Sequence, residues 1–169
     1  GIGLEVARLF HKQGHTVAIA GRRLENLKQI SAELGNCLYA QIYVTDTQAP
    51  LHLQKLIERL GGMDIYLHVS GIGKQNRQLD TAIELSTVET NVMGFTRLID
   101  HAWHYFAQKG HGHIAAVTSI AGTKGMGLAP AYSATKRLQT TYLSALAQHA
   151  RMDGVKLHIT DLRPGYAQT

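Results

Sequence analysis

The stretch His113-Ile-Ala-Ala-Val-Thr-Ser119, followed after a glycine-rich loop by Tyr132-Ser-Ala-Thr-Lys136, decides the fold. Its first half is a short apolar run that turns polar at its carboxyl end. A strand that is apolar on both faces belongs in a sheet covered on both sides by helices. The second half opens a helical pattern that runs to about Met152, and Val155 to Leu162 reads as the next strand. Strand, long helix, strand is the signature of parallel pairing, because a parallel connection needs a crossover.

The same alternation extends upstream. Ile2, Val6, Leu9 and Phe10 form a helical stripe that ends near Gly14. Thr16–Ala20 reads as a strand, Leu24–Leu34 as a helix stopped by Gly35, and Cys37–Val44 as a strand. Thr45-Asp46 offers a cap to a helix around Leu51–Leu60, which Gly61-Gly62 breaks. Asp64–Val69 is the next strand, and a loop and helix lead to a long helical stretch from about Asn91 to Gln108. The pattern predicts one α/β domain over residues 1–169, a doubly wound parallel sheet with helices on both faces. Ligands of such sheets sit at the carboxyl ends of the strands. Gly21-Arg22-Arg23, Ser70-Gly71, Ser119 and Pro164-Gly165 all fall there.

Composition narrows the function. The 169 residues are 44% hydrophobic, which excludes disorder, and no run is long enough to span a bilayer. The net charge of +5 is scattered, with no basic run longer than two residues, as at Arg22-Arg23, so no nucleic-acid surface is expected. The single Cys37 cannot form an internal disulfide, which fits a cytoplasmic protein. The pairs His101/His104 and His111/His113 lack a carboxylate or cysteine to complete a metal site, so no metal is expected. The chain opens at Gly1 and closes at Thr169 without natural boundary signals, which predicts a fragment of a longer protein.

Three clusters carry chemistry. Gly1-Ile2-Gly3 opens a helix whose free N–H groups and dipole can hold a pyrophosphate. Arg22, 19 residues on from Gly3, stands where dinucleotide folds place either an acid for the ribose diol of NAD or a base for the 2′-phosphate of NADP. Tyr132 and Lys136 lie one helical turn apart and face the same way. A phenol titrates near 10, so acid/base work at neutral pH needs a nearby cation, worth about 4 kcal/mol at about 4 Å and an effective dielectric of about 20. Tyr105 and Lys109 repeat the spacing, but no strand ending in serine precedes them, which leaves Tyr105 as a surface or interface residue. Trp103 and its apolar neighbours suit a core or a subunit interface.

Taken in order, Gly1-Ile2-Gly3, Asn91 in Asn-Val-Met-Gly, Ser119 in Val-Thr-Ser-Ile-Ala-Gly, Tyr132-Ser-Ala-Thr-Lys136 and Pro164-Gly165-x-x-x-Thr169 resemble the motifs of the short-chain dehydrogenase/reductase family across nearly the whole chain. The resemblance implies a Rossmann-like fold and an NAD(P)-dependent oxidoreductase that moves a hydride between a nicotinamide and a carbonyl or alcohol. It implies Tyr132 as general acid/base, Ser119 on the substrate oxygen, Lys136 on the nicotinamide ribose and beside the phenol, and Asn91 supporting a water next to Lys136. Gly1, Ile2, Gly3, Arg22, Arg23, Val44, Ser70, Gly71, Tyr132, Lys136, Pro164, Gly165 and Thr169 would contact the cofactor. The chain departs from the family in lacking its first strand, which would lie between Thr16–Ala20 and Asp64–Val69, and its last strand and substrate-covering helices. His68-Val69-Ser70-Gly71 stands for Asn-Asn-Ala-Gly, and Tyr43 for an acidic residue near the adenine.

The expectation is an NADP-preferring enzyme, with NAD as the alternative cofactor and a small carbonyl or alcohol compound as substrate. A homodimer or homotetramer would form through the Asn91–Gln108 and Tyr132–Met152 helices, with Phe95, Leu98, Ala102, Tyr142 and Leu146 as contacts. The rival reading is a non-catalytic dinucleotide-binding or regulatory protein on the same scaffold.

Overall fold

The computed structural model describes residues 1–165, which fall into two compact units, Gly1–Met63 and the chain from Asp64 onward. Thr169, expected to touch the cofactor, lies outside the described residues.

The first unit runs α1 (Ile2–Lys12), β1 (Ala18–Gly21), α2 (Leu24–Glu33), β2 (Leu38–Gln41) and α3 (Ala49–Leu60). The strands β1 and β2 are parallel, with Ala18 opposite Leu38 and Gly21 opposite Gln41, and α2 is the crossover between them. Leu27, Leu34, Ile42, Val44, Leu53, Leu56 and Ile57 form its core. Asp46 stands ahead of α3 and accepts from the Gln48 N–H at 2.8 Å, just before the helix begins. Gly61 ends that helix at φ +83°, and the Gly62 N–H returns to the Ile57 carbonyl at 3.1 Å. The apolar stripe of α1 is only partly covered: Ala7 is buried, while Leu9 stays 59% exposed.

The second unit runs β3 (Ile65–His68), α4 (Thr81–Val88), a π-helical segment (Glu89–Gly94), α5 (Phe95–Lys109), β4 (His111–Val117), a 3-10 turn (Ile120–Thr123), α6 (Pro130–Asp153) and β5 (Lys156–Leu162). The sheet order is β3-β4-β5, all parallel. Ile65 pairs with His113, and the β4–β5 ladder runs from His111 opposite Lys156 to Val117 opposite Leu162. Backbone pairing continues past the strands, from the Thr118 N–H to the Leu162 carbonyl and from the Ile120 N–H to the Pro164 carbonyl. Ser119 and Pro164 are thereby carried to the same end of the sheet.

The parallel strands and the helices between them follow the sequence reading. They form two sheets, in which β1 pairs with β2 alone and β3 with β4 alone. The helix expected from Asn91 begins earlier, as α4 capped by Asp80, and widens to a π turn through Asn91 before α5. Phe95, Leu98, Ala102 and Leu146, expected at an interface between copies, are buried in this unit's own core with Ile99, Phe106, Ile114 and Leu143. Their spacing serves the α5–α6–sheet packing, so it carries no information about a partner. Trp103 stacks on His149 of α6 with ring centroids 5.0 Å apart. No described helix is long and apolar enough to cross a membrane.

Two features of this core make checkable predictions. Gly112 of β4 lies flat against the fully buried Phe106 ring, so a Cβ there would collide with a side chain that has no room to retreat. Gly112→Ala should destabilise the unit by about 1–3 kcal/mol, read as a lower urea midpoint at unchanged slope. His68 is buried beneath an edge-on contact with Phe95, its Nδ1 3.0 Å from the Tyr66 hydroxyl and its Nε2 without a hydrogen-bond partner among the described residues. Burial, reinforced by the Lys136 charge, holds its pKa down at about 4, below the ordinary 6.5. The unfolded chain therefore takes up the His68 proton first, and this contribution to stability is complete above pH 6.5 and lost as pH falls toward 4. Unfolding titrations of wild type should show a pH slope in that window steeper than that of His68→Asn by up to about 1.4 kcal/mol per pH unit. Parallel slopes would contradict the buried neutral imidazole.

Candidate active site

Tyr132 and Lys136 occupy the first turns of α6, which Pro130 opens. Glu84 of α4 anchors that helix end: its Oε2 accepts from the Ala131 N–H at 2.8 Å, and its Oε1 accepts from the Asn76 side chain at 2.9 Å. A carboxylate at a helix N-terminus satisfies a free backbone donor and complements the dipole. The Lys136 Nζ stands 5.8 Å from the Tyr132 ring centroid and donates to the Val117 carbonyl and to Gln139 Oε1, each at 3.2 Å. Burial brings the Lys136 pKa down to about 8, against an upward pull from the Asp161 carboxylate.

Ser119 lies two residues beyond β4 and caps the 3-10 turn, its Oγ accepting from the Ala121 N–H at 3.0 Å. With one lone pair engaged, the hydroxyl keeps its own proton to donate. The turn lies directly on α6: a Cβ on Gly122 would stand 2.8 Å from the Arg137 nitrogen and 2.9 Å from the Lys136 carbonyl carbon. This close approach of one backbone to another sets the serine against the helix that carries Tyr132 and Lys136. Thr118 fixes the turn from the other side by donating to Asp161.

Asn91 has no exposed surface. Its Oδ1 accepts from the Ile72 N–H at 2.9 Å, while its Nδ2 donates to the Ile72 carbonyl at 2.7 Å and to Thr135 Oγ1 at 3.1 Å. Thr135 in turn donates to the Tyr132 carbonyl at 2.9 Å. The Asn91 backbone carbonyl accepts from Gln139 Nε2 at 2.9 Å. The loop after β3 is thus drawn over the helix. A Cβ on Gly71 would lie 3.3 Å from Lys136 Nζ, and one on Gly73 would lie 2.5 Å from Tyr132 Cδ2. A short π-helical stretch is a frequent mark of functional sites, and here it carries Asn91, which joins the loop to the helix.

Of the residues expected from sequence, Ser70, Gly71, Asn91, Ser119, Tyr132, Lys136, Pro164 and Gly165 belong to this second unit. Gly1, Ile2, Gly3, Arg22, Arg23 and Val44 belong to the first. There Gly1 caps α1 with no side chain over the helix end, Arg22 and Arg23 are exposed just before α2, and neither arginine has an ion-pair partner among the described residues. Val44 buries its side chain in the core, and Tyr43 is half exposed with its hydroxyl accepting from Gln41. Sequence reasoning missed Gln139, Thr135, Glu84 and Asp161. For Gln139 a signal existed: Tyr132, Lys136 and Gln139 fall at i, i+4 and i+7, one stripe of α6.

A family model described as short chain dehydrogenase matches residues 1–169. Dehydrogenase/reductase SDR family member 7B of Danio rerio is 28% identical over all of this chain and 58% of its own length, so the chain spans little more than half of that relative. An uncharacterized oxidoreductase of Mycobacterium tuberculosis is 31% identical over the whole chain and 70% of its own length. Among solved structures, serine dehydrogenase from Escherichia coli superposes with a TM-score of 0.90 at 26% identity, covering 98% of this chain and 77% of that one. The closed form of serine dehydrogenase complexed with NADP+ gives 0.87 at 25% identity, covering 98% and 68%. With its motifs in order, its parallel strands and this match over every residue, the chain belongs to the short-chain dehydrogenase family.

Proposed function

We propose that the protein is an NADP-preferring oxidoreductase acting on a carbonyl or alcohol, with Tyr132 as its general acid/base. The observation that carries this reading is the convergence, within one unit, of a partly exposed phenol, a buried ammonium one turn away and a serine whose proton has no acceptor among the described residues. A purely binding protein has no need for all three at one strand end.

The residues present suit a pyridine dinucleotide. In the first unit, a helix that opens on Gly1 without a covering side chain can receive a phosphate, and two exposed arginines, without ion-pair partners among the described residues, suit a further one. In the second unit, the exposed backbone at Ser70-Gly71 leaves room above Lys136 that a Cβ at Gly71 would narrow. When bound, the nicotinamide supplies or accepts the hydride. The chain's own residues do the rest. Tyr132 gives its hydroxyl proton to the substrate oxygen in reduction and takes it back in oxidation. Ser119 donates a hydrogen bond to the same oxygen and so favours the charge that develops on it. Lys136 holds a positive charge beside the phenol, which favours its anionic form, and can donate to a ribose hydroxyl. Asn91 holds the loop at Ile72 and the helix at Thr135 in register, which keeps these groups in place.

Tyr132→Phe should lower turnover by roughly 10²–10⁴-fold while leaving NADP binding largely intact, and Tyr105→Phe should be nearly silent. Oxidation of reduced cofactor with a panel of aldehydes and ketones, beside calorimetric titration of NADP, measures both. Substantial turnover in the purified Tyr132→Phe variant would overturn the assignment of Tyr132.

Cofactor choice is tested separately. Arg22→Ala combined with Arg23→Ala should weaken NADP binding by about 1.5–3 kcal/mol and leave NAD nearly unchanged, because only the 2′-phosphate loses a charged partner. Equal losses for both cofactors would remove these arginines from phosphate recognition.

A further inference from the structure

Gln139 has no place in the chemistry just described, yet it is among the most deeply buried polar side chains of the second unit, 1% exposed. We propose that Gln139 is a positioning residue whose side-chain amide bridges Lys136 and Asn91 and so fixes the Lys136 ammonium beside Tyr132. The proposal rests on the reading of Tyr132 and Lys136 as the acid/base pair.

The amide has two unlike ends and both are engaged. Its Nε2 donates to the Asn91 carbonyl at 2.9 Å and its Oε1 accepts from Lys136 Nζ at 3.2 Å. The reverse orientation would set an NH2 group against an ammonium and one carbonyl against another, so the partners themselves fix which way the amide points. The other acceptor to Lys136 is the Val117 carbonyl at 3.2 Å, a backbone atom at the end of β4. Nζ is therefore held between a strand and its own helix, and the helix side of that grip is Gln139. The chain of contacts runs further, because the same Asn91 clasps both backbone groups of Ile72. The loop after β3, the π-helical segment and the lysine are thereby tied by one amide to one residue. Gln139 lies one turn beyond Lys136 and is sealed from solvent, so it acts only through its two partners.

Among the described residues, titratable groups bear on Nζ from three elements. Tyr132 faces it from α6, Asp161 from β5 and His68 from β3. From the loop after β3 the uncharged Gly71 lies against Nζ, and from the π-helical segment Asn91 reaches it through Gln139. An acceptor aimed at the ammonium favours the charged form, so its removal from this buried site should lower the pH at which Lys136 loses its proton.

The test is an NMR titration of the protein labelled with 13C at the lysine ε carbon, with the Lys136 signal assigned by K136M. In Q139M, which keeps the side-chain length but loses both polar ends, the Lys136 midpoint should fall by about one pH unit or more. In Q139E, which keeps an oxygen facing Nζ, it should stay at or above the wild-type value. Should Q139M not fold, Q139N serves in its place with the same expected fall, since its shorter amide cannot span both partners. A Q139M midpoint within about 0.3 pH unit of wild type overturns the proposal. So does a fall in Q139E equal to that in Q139M, which would mark packing damage instead of a lost acceptor. These midpoints are read without substrate or cofactor, whereas failure of the oxidoreductase reading would appear in the Tyr132 assay.

Discussion

The second unit depends on the burial of one side-chain amide. Asn91 is inaccessible to solvent, and every hydrogen-bonding end of its side chain is satisfied by the protein. A buried amide without partners would cost several kcal/mol, so its satisfaction forces the Ile72 backbone and Thr135 to lie where they do. The loop after β3, the π-helical turn and the start of α6 come together at this residue. Removing it would leave the Ile72 N–H and carbonyl without their partner and free the loop that lies over Tyr132 and Lys136.

Around this clasp the site holds its charge away from the surface, with Lys136 buried. The Lys136 ammonium rests on neutral oxygens from Val117 and Gln139, with the Asp161 carboxylate adding a longer-range pull. Asp161 is itself engaged by Thr118 and by Arg163 at 2.6 Å. A charge held by fixed dipoles needs no reorganisation when a reaction begins, which is the physical advantage of a rigid polar core over a solvated one.

Much of the fold was legible because its strands are short, apolar and separated by helices with strong 3.6-residue periodicity. The helix opening near Tyr132 is found where the pattern places it, and the strand expected over His113–Ser119 runs from His111 to Val117, two residues earlier at each end. The π turn at Asn91 was not legible, since a one-residue widening leaves helical periodicity almost unchanged over so short a span. The apolar residues Phe95, Leu98, Ala102 and Leu146 misled as interface candidates, because hydrophobicity alone does not distinguish a core from a contact between copies. For the candidate site, motif residues could be named from spacing. Glu84 and Asp161 could not, as each acts across a fold contact far away in sequence. Gln139 lay in plain view on the Tyr132–Lys136 stripe, but an amide has no periodicity of its own to mark it.

Two glycines separate what a variant library would score as folding from what it would score as function. At Gly122 any side chain meets the backbone of α6, which has nowhere to go, so substitutions there would be lost from a screen for soluble protein. At Gly73 the obstacle is the Tyr132 ring, a side chain able to swing aside. Under the proposed role of Tyr132, substitutions at Gly73 would survive a solubility screen and fail an activity screen, because the displaced ring takes its hydroxyl with it. Neither position carries a functional group, yet the difference between them follows from whether the neighbour is main chain or side chain.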